Sequence, residues 1–395
     1  MALIKKPVNG MKDILPGEMA LREYVTGIIR RIYTAYGFSS IETPAVEHIE
    51  NLLSKQGGDN EKLIFKILKR GEKLRLDTAE TEADVTDSGL RYDLTLPLSR
   101  YYANHAGELP APFKALQMGP VWRADRPQRG RFRQFTQCDI DILGEADCTA
   151  EAELILAIAD VLSALEFHGF TIRINDRRLL KDTAAEAGFD ETDYDSVFIT
   201  LDKMDKIGRD GVIAELTEKF SEEKALRYMA AFDRSEPGYD LPKIMSLVNA
   251  LKPEDCHIAF DPTLVRGMSY YTGPIFEISV DEFGSSVGGG GRYDGMIGKF
   301  TGQQVPAVGF SIGFERIIML LMERGFQVPG AAEKTAFLVE KGQSAEQLTA
   351  IFREAAALRA SGCVVCVSVM KKNRRFQKEQ LAGEGYTTIK EYFNG

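Results

Sequence analysis

The chain has 395 residues, 44% of them hydrophobic, and a formal net charge of −9. A single core stops growing at ~250–300 residues, so this length predicts a soluble protein of more than one domain. The acidic balance excludes a protein that coats nucleic acid over its whole surface, and neither a bilayer-spanning apolar run nor a secretion signal behind Met1 is present.

Leu21 to Phe38 carries Val25, Ile28, Ile29, Ile32, Tyr33 and Tyr36 at helical spacing and closes on Gly37, which predicts an amphipathic helix. A short strand from Phe38 is stopped by Pro44. The acidic stretch Glu72 to Ser88 reads as a loop or hairpin excursion, after which Arg91 to Thr95 re-enters the core. Phe113–Arg123 and Arg133–Gly144 are strand-like runs around a loop holding Pro127 and Gly130, an antiparallel hairpin. In the second strand Arg133, Phe135, Gln137, Asp139 and Asp141 share one parity, and Cys138, Ile140 and Ile142 the other. The polar set therefore faces a cleft and the apolar set the core.

Residues 149–168 read as a helix, and 175–253 as an inserted helical module whose longest strand is Val197 to Leu201. The sheet resumes at Tyr270–Val280 and Ser285–Gly291, and a helix follows from Phe310 to Met322. Helices segregated from a mostly antiparallel sheet make this α+β. After Pro329-Gly330, strand and helix alternate through Ala336–Val339, Ala345–Leu358, Cys363–Val369 and Phe376–Leu381, a small α/β domain. Cys363 and Cys366 form a CxxC inside a β-branched run, a buried strand in which residues three apart face opposite ways and share no metal. The other cysteines, at 138, 148 and 256, form no disulfide framework, which points to a reducing cytoplasm. The histidines at 48, 105, 168 and 257 are isolated, and no role is assigned to them.

Positive charge concentrates in Arg123–Arg133 and in Lys371–Lys378. Arg123 and Arg266 each open a segment in which guanidiniums stand close to carboxylates or paired tyrosines. Arginine holds its charge at any working pH and can donate two parallel hydrogen bonds, which suits phosphate oxygens. A nucleotide site follows, with Asp93, Asp141, Tyr270 and Tyr271 left for a small polar substrate. The run Gly288–Gly291 lacks the spacing and lysine of a phosphate loop; it suits a strand crossed closely by a ligand or another backbone.

Several segments together resemble the histidyl-tRNA synthetases, a class II aminoacyl-tRNA synthetase family. Gly10–Pro16 and Thr43–Glu47 are similar to the family's N-terminal and dimer-forming segments, Trp122–Arg133 to its motif 2, and Gly309–Arg316 to its motif 3. Val265–Gly273 and Gly289–Asp294 are similar to the two histidine-specific segments. The resemblance implies a catalytic domain over 1–328, with the insertion at about 175–253, and a short anticodon-binding-like domain over 333–395. It implies a cytoplasmic homodimer using ATP, Mg2+, L-histidine and tRNA(His), with no protein-bound metal. By the same resemblance Arg123 would hold the α-phosphate, Arg133 the outer phosphates, and Glu315 and Arg316 the rest of ATP. Asp93, Leu94, Thr95 and Gln137 would receive the substrate ammonium; Asp141 and Tyr271 would grip the imidazole, lined by Tyr270 and Tyr293. Arg266 would act with Arg123 in catalysis, taking part of the place of a second metal ion.

Asp125 stands where many class II enzymes carry glutamate, and Ser269 where the histidine motif carries aspartate. With the short last domain, these departures define an alternative, a non-catalytic regulatory subunit of ATP phosphoribosyltransferase. The complete set Arg123, Arg133, Arg266 and Arg316 favours the enzyme.

Overall fold

The computed structural model describes residues 3–53, 60–266, 270–280, 286–330 and 332–394, with backbone alone at 60 and 61. Ser269 and the start of the strand expected at Ser285 lie outside them. The chain divides into two compact units, 1–14 with 22–324, and 15–21 with 325–395.

Helix α1 (Pro16–Ala35) buries Val25, Ile29 and Tyr33 one turn apart and stops at Gly37, whose φ of 84° suits a residue without Cβ. After β1 (Ser39–Ser40), the chain makes a small antiparallel sheet from β2 (Val46–His48), β3 (Lys66–Leu68) and β4 (Thr86–Leu90), with short helices α2 (Ile49–Leu52) and α3 (Glu82–Val85). The acidic stretch expected as an excursion, 72–88, is the connection from β3 through α3 into its antiparallel partner β4. Residues 91–95 are buried, as their re-entry into the core requires, and lead into α4 (Thr95–His105).

The expected hairpin is β5 (Phe113–Trp122) and β6 (Gln134–Leu143), paired from Phe113–Leu143 to Trp122–Gln134. Helix α5 (Thr149–Ala164) leads to β7 (Phe170–Asp176). The insertion then contains α6 (Arg177–Glu186), α7 (Tyr194–Leu201), α8 (Met204–Lys219), α9 (Glu222–Phe232) and α10 (Leu241–Leu251). Asp176 caps α6 through the Arg178 amide, and Ser221 caps α9 through that of Lys224. Val197–Leu201, expected as a strand, is the end of α7: Val197, Phe198, Thr200 and Leu201 are buried at spacings of one, three and four, a helical stripe.

The chain returns to the sheet through β8 (Cys256–Phe260), β9 (Pro274–Val280) and β10 (Ser286–Arg292). Helix α11 (Gly295–Thr301) precedes β11 (Ala307–Ile312), and α12 (Phe314–Glu323) follows. The helix expected from Phe310 therefore starts four residues later, because residues 308–312 pair with both β6 and β10. Among the described residues the large sheet has the order β1-β5-β6-β11-β10-β9-β7-β8, antiparallel except for the parallel edge pairs β1/β5 and β7/β8. Strands β7 and β8, which no sequence pattern announced, extend it beside the insertion.

In the second unit β12 (Lys334–Val339), α13 (Ala345–Ala360), β13 (Val364–Val369), α14 (Arg374–Gly383) and β14 (Thr388–Tyr392) alternate. Both neighbours of β12 are parallel to it. Strand β14, likewise unannounced, completes this sheet. The CxxC strand is an edge strand, half exposed where full burial was expected, and both its cysteines are free thiols. No helix among the described residues is long and apolar enough to cross a membrane.

Candidate active site

Paired residues of adjacent strands present their side chains to the same face of a sheet, so register determines what the central sheet displays. One row runs Gln117, Asp139, Ser311, Gly289, Glu277 and Arg173 across β5, β6, β11, β10, β9 and β7. The next runs Ala115, Asp141, Gly309, Gly291, Ile275 and Asn175. Asp139, Ser311, Gly289, Glu277 and Arg173 of the first row, with Asp141 and Gly309 of the second, line a cavity of about 1090 Å³.

Glycines occupy the middle of both rows because larger residues would fill the space above them. A Cβ on Gly289 would lie 2.6 Å from the Arg266 guanidinium carbon, and one on Gly309 would overlap the Asp141 carboxylate. The glycine strand is thus crossed by a side chain and by neighbouring backbone, as the sequence implied.

Arg266 is brought over Gly289 by the segment after β8. Asn175 donates to the Leu264 carbonyl at 2.9 Å, and Arg266 has a left-handed φ of 62°, unusual for a residue with a Cβ. Its guanidinium donates to Glu277 at 2.5 Å, and Glu277 also receives Arg173, whose other partner is Asp261 at 2.9 Å. Burial works against the Arg266 charge, but Tyr271 and Glu277 overcome it and hold the charge more firmly than usual. Its buried Nε has no hydrogen-bond partner among the described residues.

Asp93, Asp139 and Asp141 are buried in the same cavity. Burial raises the Asp93 carboxyl, opposed by the Arg123 charge. Burial pushes Asp139 up to about 7, and raises Asp141 further, with the Asp139 charge adding to it. Tyr293 donates to Asp141 at 2.6 Å, leaving the other Asp141 oxygen without a partner among the described residues. Tyr270 packs edge-on to Tyr271 and Tyr293, with ring centroids 4.8 and 6.1 Å apart. Gln137 and Thr95 complete this end.

Arginines stand beside this set. Arg123 donates through Nε to the Tyr92 carbonyl at 2.8 Å and lies over the Phe135 ring, a fixed fork beside the carboxylates. Arg316 bonds the Ser286 carbonyl, and burial together with the nearby Arg131 charge lowers its pKa. Two like charges held side by side, Arg316 half-buried and Arg131 exposed, favour an anionic guest.

The structure does not bring every expected residue to the cavity. Leu94 is a core side chain outside the lining. Arg133 also lies outside it; its Nε donates to the Asp125 carbonyl at 3.1 Å, and its stem fills the space over Gly10. The strand pairing ends at Gln134, so alternation no longer governs Arg133. Arg131, at the hairpin tip, lines the cavity instead. Glu315 lines it too, but accepts Arg22 at 2.7 and 2.8 Å and the Thr136 amide at 3.0 Å. Glu277 and Arg173 were missed by sequence reasoning, since only strand register signals them. Among the described residues no group of three or more His, Cys, Asp or Glu side chains is placed to hold a metal ion.

A profile of the family described as histidyl-tRNA synthetase matches residues 10–317. The histidine–tRNA ligase of Leifsonia xyli is 44% identical, covering 97% of this chain and 94% of that protein. The crystal structure of the histidyl-tRNA synthetase of Nostoc sp. matches with a TM-score of 0.76 and 27% identity, covering 98% of this chain and 91% of that one. A Bacillus halodurans structure described as an ATP phosphoribosyltransferase regulatory subunit/histidyl-tRNA synthetase matches with a TM-score of 0.78 and full coverage of both chains, but at 20% identity the likeness is one of fold alone. The regulatory-subunit alternative is therefore not favoured over the 44% ligase relative. With its glycine-floored cavity, its class II sheet and these relatives, this chain belongs to the histidyl-tRNA synthetase family.

Proposed function

We propose that this chain is a histidine–tRNA ligase that activates L-histidine with ATP and transfers it to tRNA(His). The observation that carries this reading is the joining of two chemistries in one cavity: buried carboxylates, phenols and an amide, with arginines beside them. The first set suits the ammonium and imidazole of histidine. The second suits a triphosphate.

In the first step an oxygen of the histidine carboxylate forms a bond to the α-phosphorus of ATP, and the bond to the bridging oxygen of pyrophosphate breaks. In the second, the terminal ribose hydroxyl of tRNA attacks the adenylate carbonyl; AMP leaves and the hydroxyl proton passes to solvent. No protein nucleophile is required. Arg123, held by the Tyr92 carbonyl, and Arg266, held by Glu277, are the groups positioned to offset charge on the transferring phosphoryl centre. Arg131 and Arg316 would take the outer phosphates, in place of Arg133. Mg2+ would enter on the nucleotide's own oxygens as part of the substrate. A catalytic domain over 1–328, with an insertion at about 175–253 and an anticodon-binding-like domain over 333–395, assembled as a cytoplasmic homodimer, belongs to the same reading.

The test is histidine-dependent ATP–pyrophosphate exchange, followed by charging of a tRNA(His) transcript. Arg266→Ala is expected to lower exchange by ~10²–10³ if its contact forms mainly in the transition state. Unchanged exchange would remove Arg266 from the reaction, and no histidine-dependent exchange in the native protein would overturn the reading.

A further inference from the structure

Two buried acceptors stand side by side on β6 without partners. Gln137 donates through Nε2 to Oδ2 of Asp139 at 2.7 Å. Its own carbonyl oxygen, Oε1, is buried and has no hydrogen-bond partner among the described residues, and neither has Oδ1 of Asp139. Both side chains are more than nine-tenths buried, at 8% and 3% exposure. The Ser311 hydroxyl, opposite Asp139 on β11, lowers the Asp139 pKa but makes no hydrogen bond of good geometry to it; a buried acceptor left unmade costs about 1–3 kcal/mol, so the pair favours a donor.

The chemistry of that donor is constrained. Asp93 and Asp141 lie close enough to Asp139 for their charges to be felt, with Arg123 the nearby counter-charge. Burial and mutual repulsion raise these carboxyls, and a cation bound among them would restore their charge, so the cluster favours one. The described residues offer no metal-holding arrangement here, whereas an ammonium brings three N–H donors and a compact positive charge.

An amide can be turned either way about its last bond, and only one orientation serves an ammonium. An ionised carboxylate only accepts, and an ammonium bound beside Asp139 would draw that carboxyl to its charged form; Asp139 then holds the NH2 of Gln137 toward itself and leaves Oε1 as the outward acceptor. We infer that Asp139 is a positioning residue for the ammonium subsite: it fixes the Gln137 amide with its carbonyl toward the substrate and sets a negative charge behind it. This rests on the histidine-activating reading above, and it gives work to a carboxylate whose sequence parity alone assigned it none. In water the amide would lose little by turning. In this cavity, turning it would set two acceptors against each other and leave the NH2 facing a cation, so the lock discriminates between ligands that carry the ammonium and ligands that lack it.

The experiment uses the full chain with Asp139→Asn, which keeps shape but can receive the Gln137 amide either way round. Inhibition of ATP–pyrophosphate exchange is measured with histidinol, which keeps the ammonium and lacks the carboxylate, and with imidazolepropionate, which does the reverse. The expected result is that histidinol weakens about tenfold or more, the size of a lost hydrogen bond to a charged group, while imidazolepropionate changes less than about twofold. In a Gln137→Ala background, Asp139→Asn is expected to add little, since its effect passes through Gln137. Equal losses for both analogues would make Asp139 structural and overturn the inference, as would no loss for either. Asp139→Ser gives the same comparison if the asparagine variant does not fold. A native protein that shows no histidine-dependent exchange would instead sink the underlying reading, so the two failures are distinct.

Discussion

At the scale of single residues, the side of the cavity assigned to histidine is built on one phenol. Tyr293 is fully buried, and its hydroxyl supplies the hydrogen bond to Asp141. The carboxylate is already raised by burial and by its neighbour Asp139, so this bond offsets part of the cost of holding it there. Tyr293→Phe removes the donor and leaves the ring, which still packs against Tyr270. The expected loss is about 1–2 kcal/mol, seen as a rise of about five- to thirtyfold in the KM for histidine with the KM for ATP unchanged. Steady-state exchange with each substrate varied in turn checks it. Parallel changes in both constants would mean that the hydroxyl shapes the whole cavity and not the imidazole end.

At the scale of elements, β10 separates catalysis from folding within two adjacent glycines. The atoms nearest a Cβ on Gly289 are the far end of the Arg266 side chain, which can swing away. A Cβ on Gly290 would strike the Gly309 carbonyl and the Phe310 Cα at 2.7 Å, both of them backbone of the paired strand β11. Gly289→Ala is therefore expected to fold with a thermal midpoint within a few degrees of the native protein while exchange falls by ~10² as Arg266 loses its seat. Gly290→Ala is expected to lose stability by about 1–3 kcal/mol or more, because overpacking here forces strands apart. Denaturant unfolding and exchange measured on both variants decide the matter. If Gly289→Ala kept full exchange, the seat over the glycine would not be where Arg266 works.

At the scale of the whole molecule, the charge of −9 requires that any footprint for tRNA be local. The run 371–378 in the second unit meets that need in part. Lys378 is already paired with Glu391 at 2.6 Å, Arg374 lies over the Phe393 ring, and Arg375, though paired with Glu379 at 2.9 Å, keeps its side chain 90% exposed. Lys371 and Lys372 are exposed as well. Replacing Lys371, Lys372, Arg374 and Arg375 by glutamine is expected to weaken tRNA(His) binding and to flatten its dependence on log salt by about 0.7–0.9 for each phosphate that is no longer neutralised. Histidine-dependent exchange, which needs no tRNA, is expected to be unchanged. A native slope in the variant would move the footprint elsewhere on the chain.

Local rules decided much of this in the sequence itself. Alternation along β6 placed Gln137, Asp139 and Asp141 on the cavity face, a run of glycines marked a strand crossed closely by other atoms, and the helix through Val25, Ile29 and Tyr33 followed from its spacing. Each depends on neighbours a few residues away, so the chain alone contains the information. The same rules misled where a short run fits two periods, as at Val197–Leu201, or where a strand ends, as at Arg133. Only the tertiary structure decided that Asp139, Ser311, Gly289, Glu277 and Arg173 form one row, that Glu277 holds Arg266, and that the Gln137 amide donates to Asp139. Those facts rest on the register between strands far apart in the chain and on burial that withholds water from their polar groups, and neither is a property of any short segment.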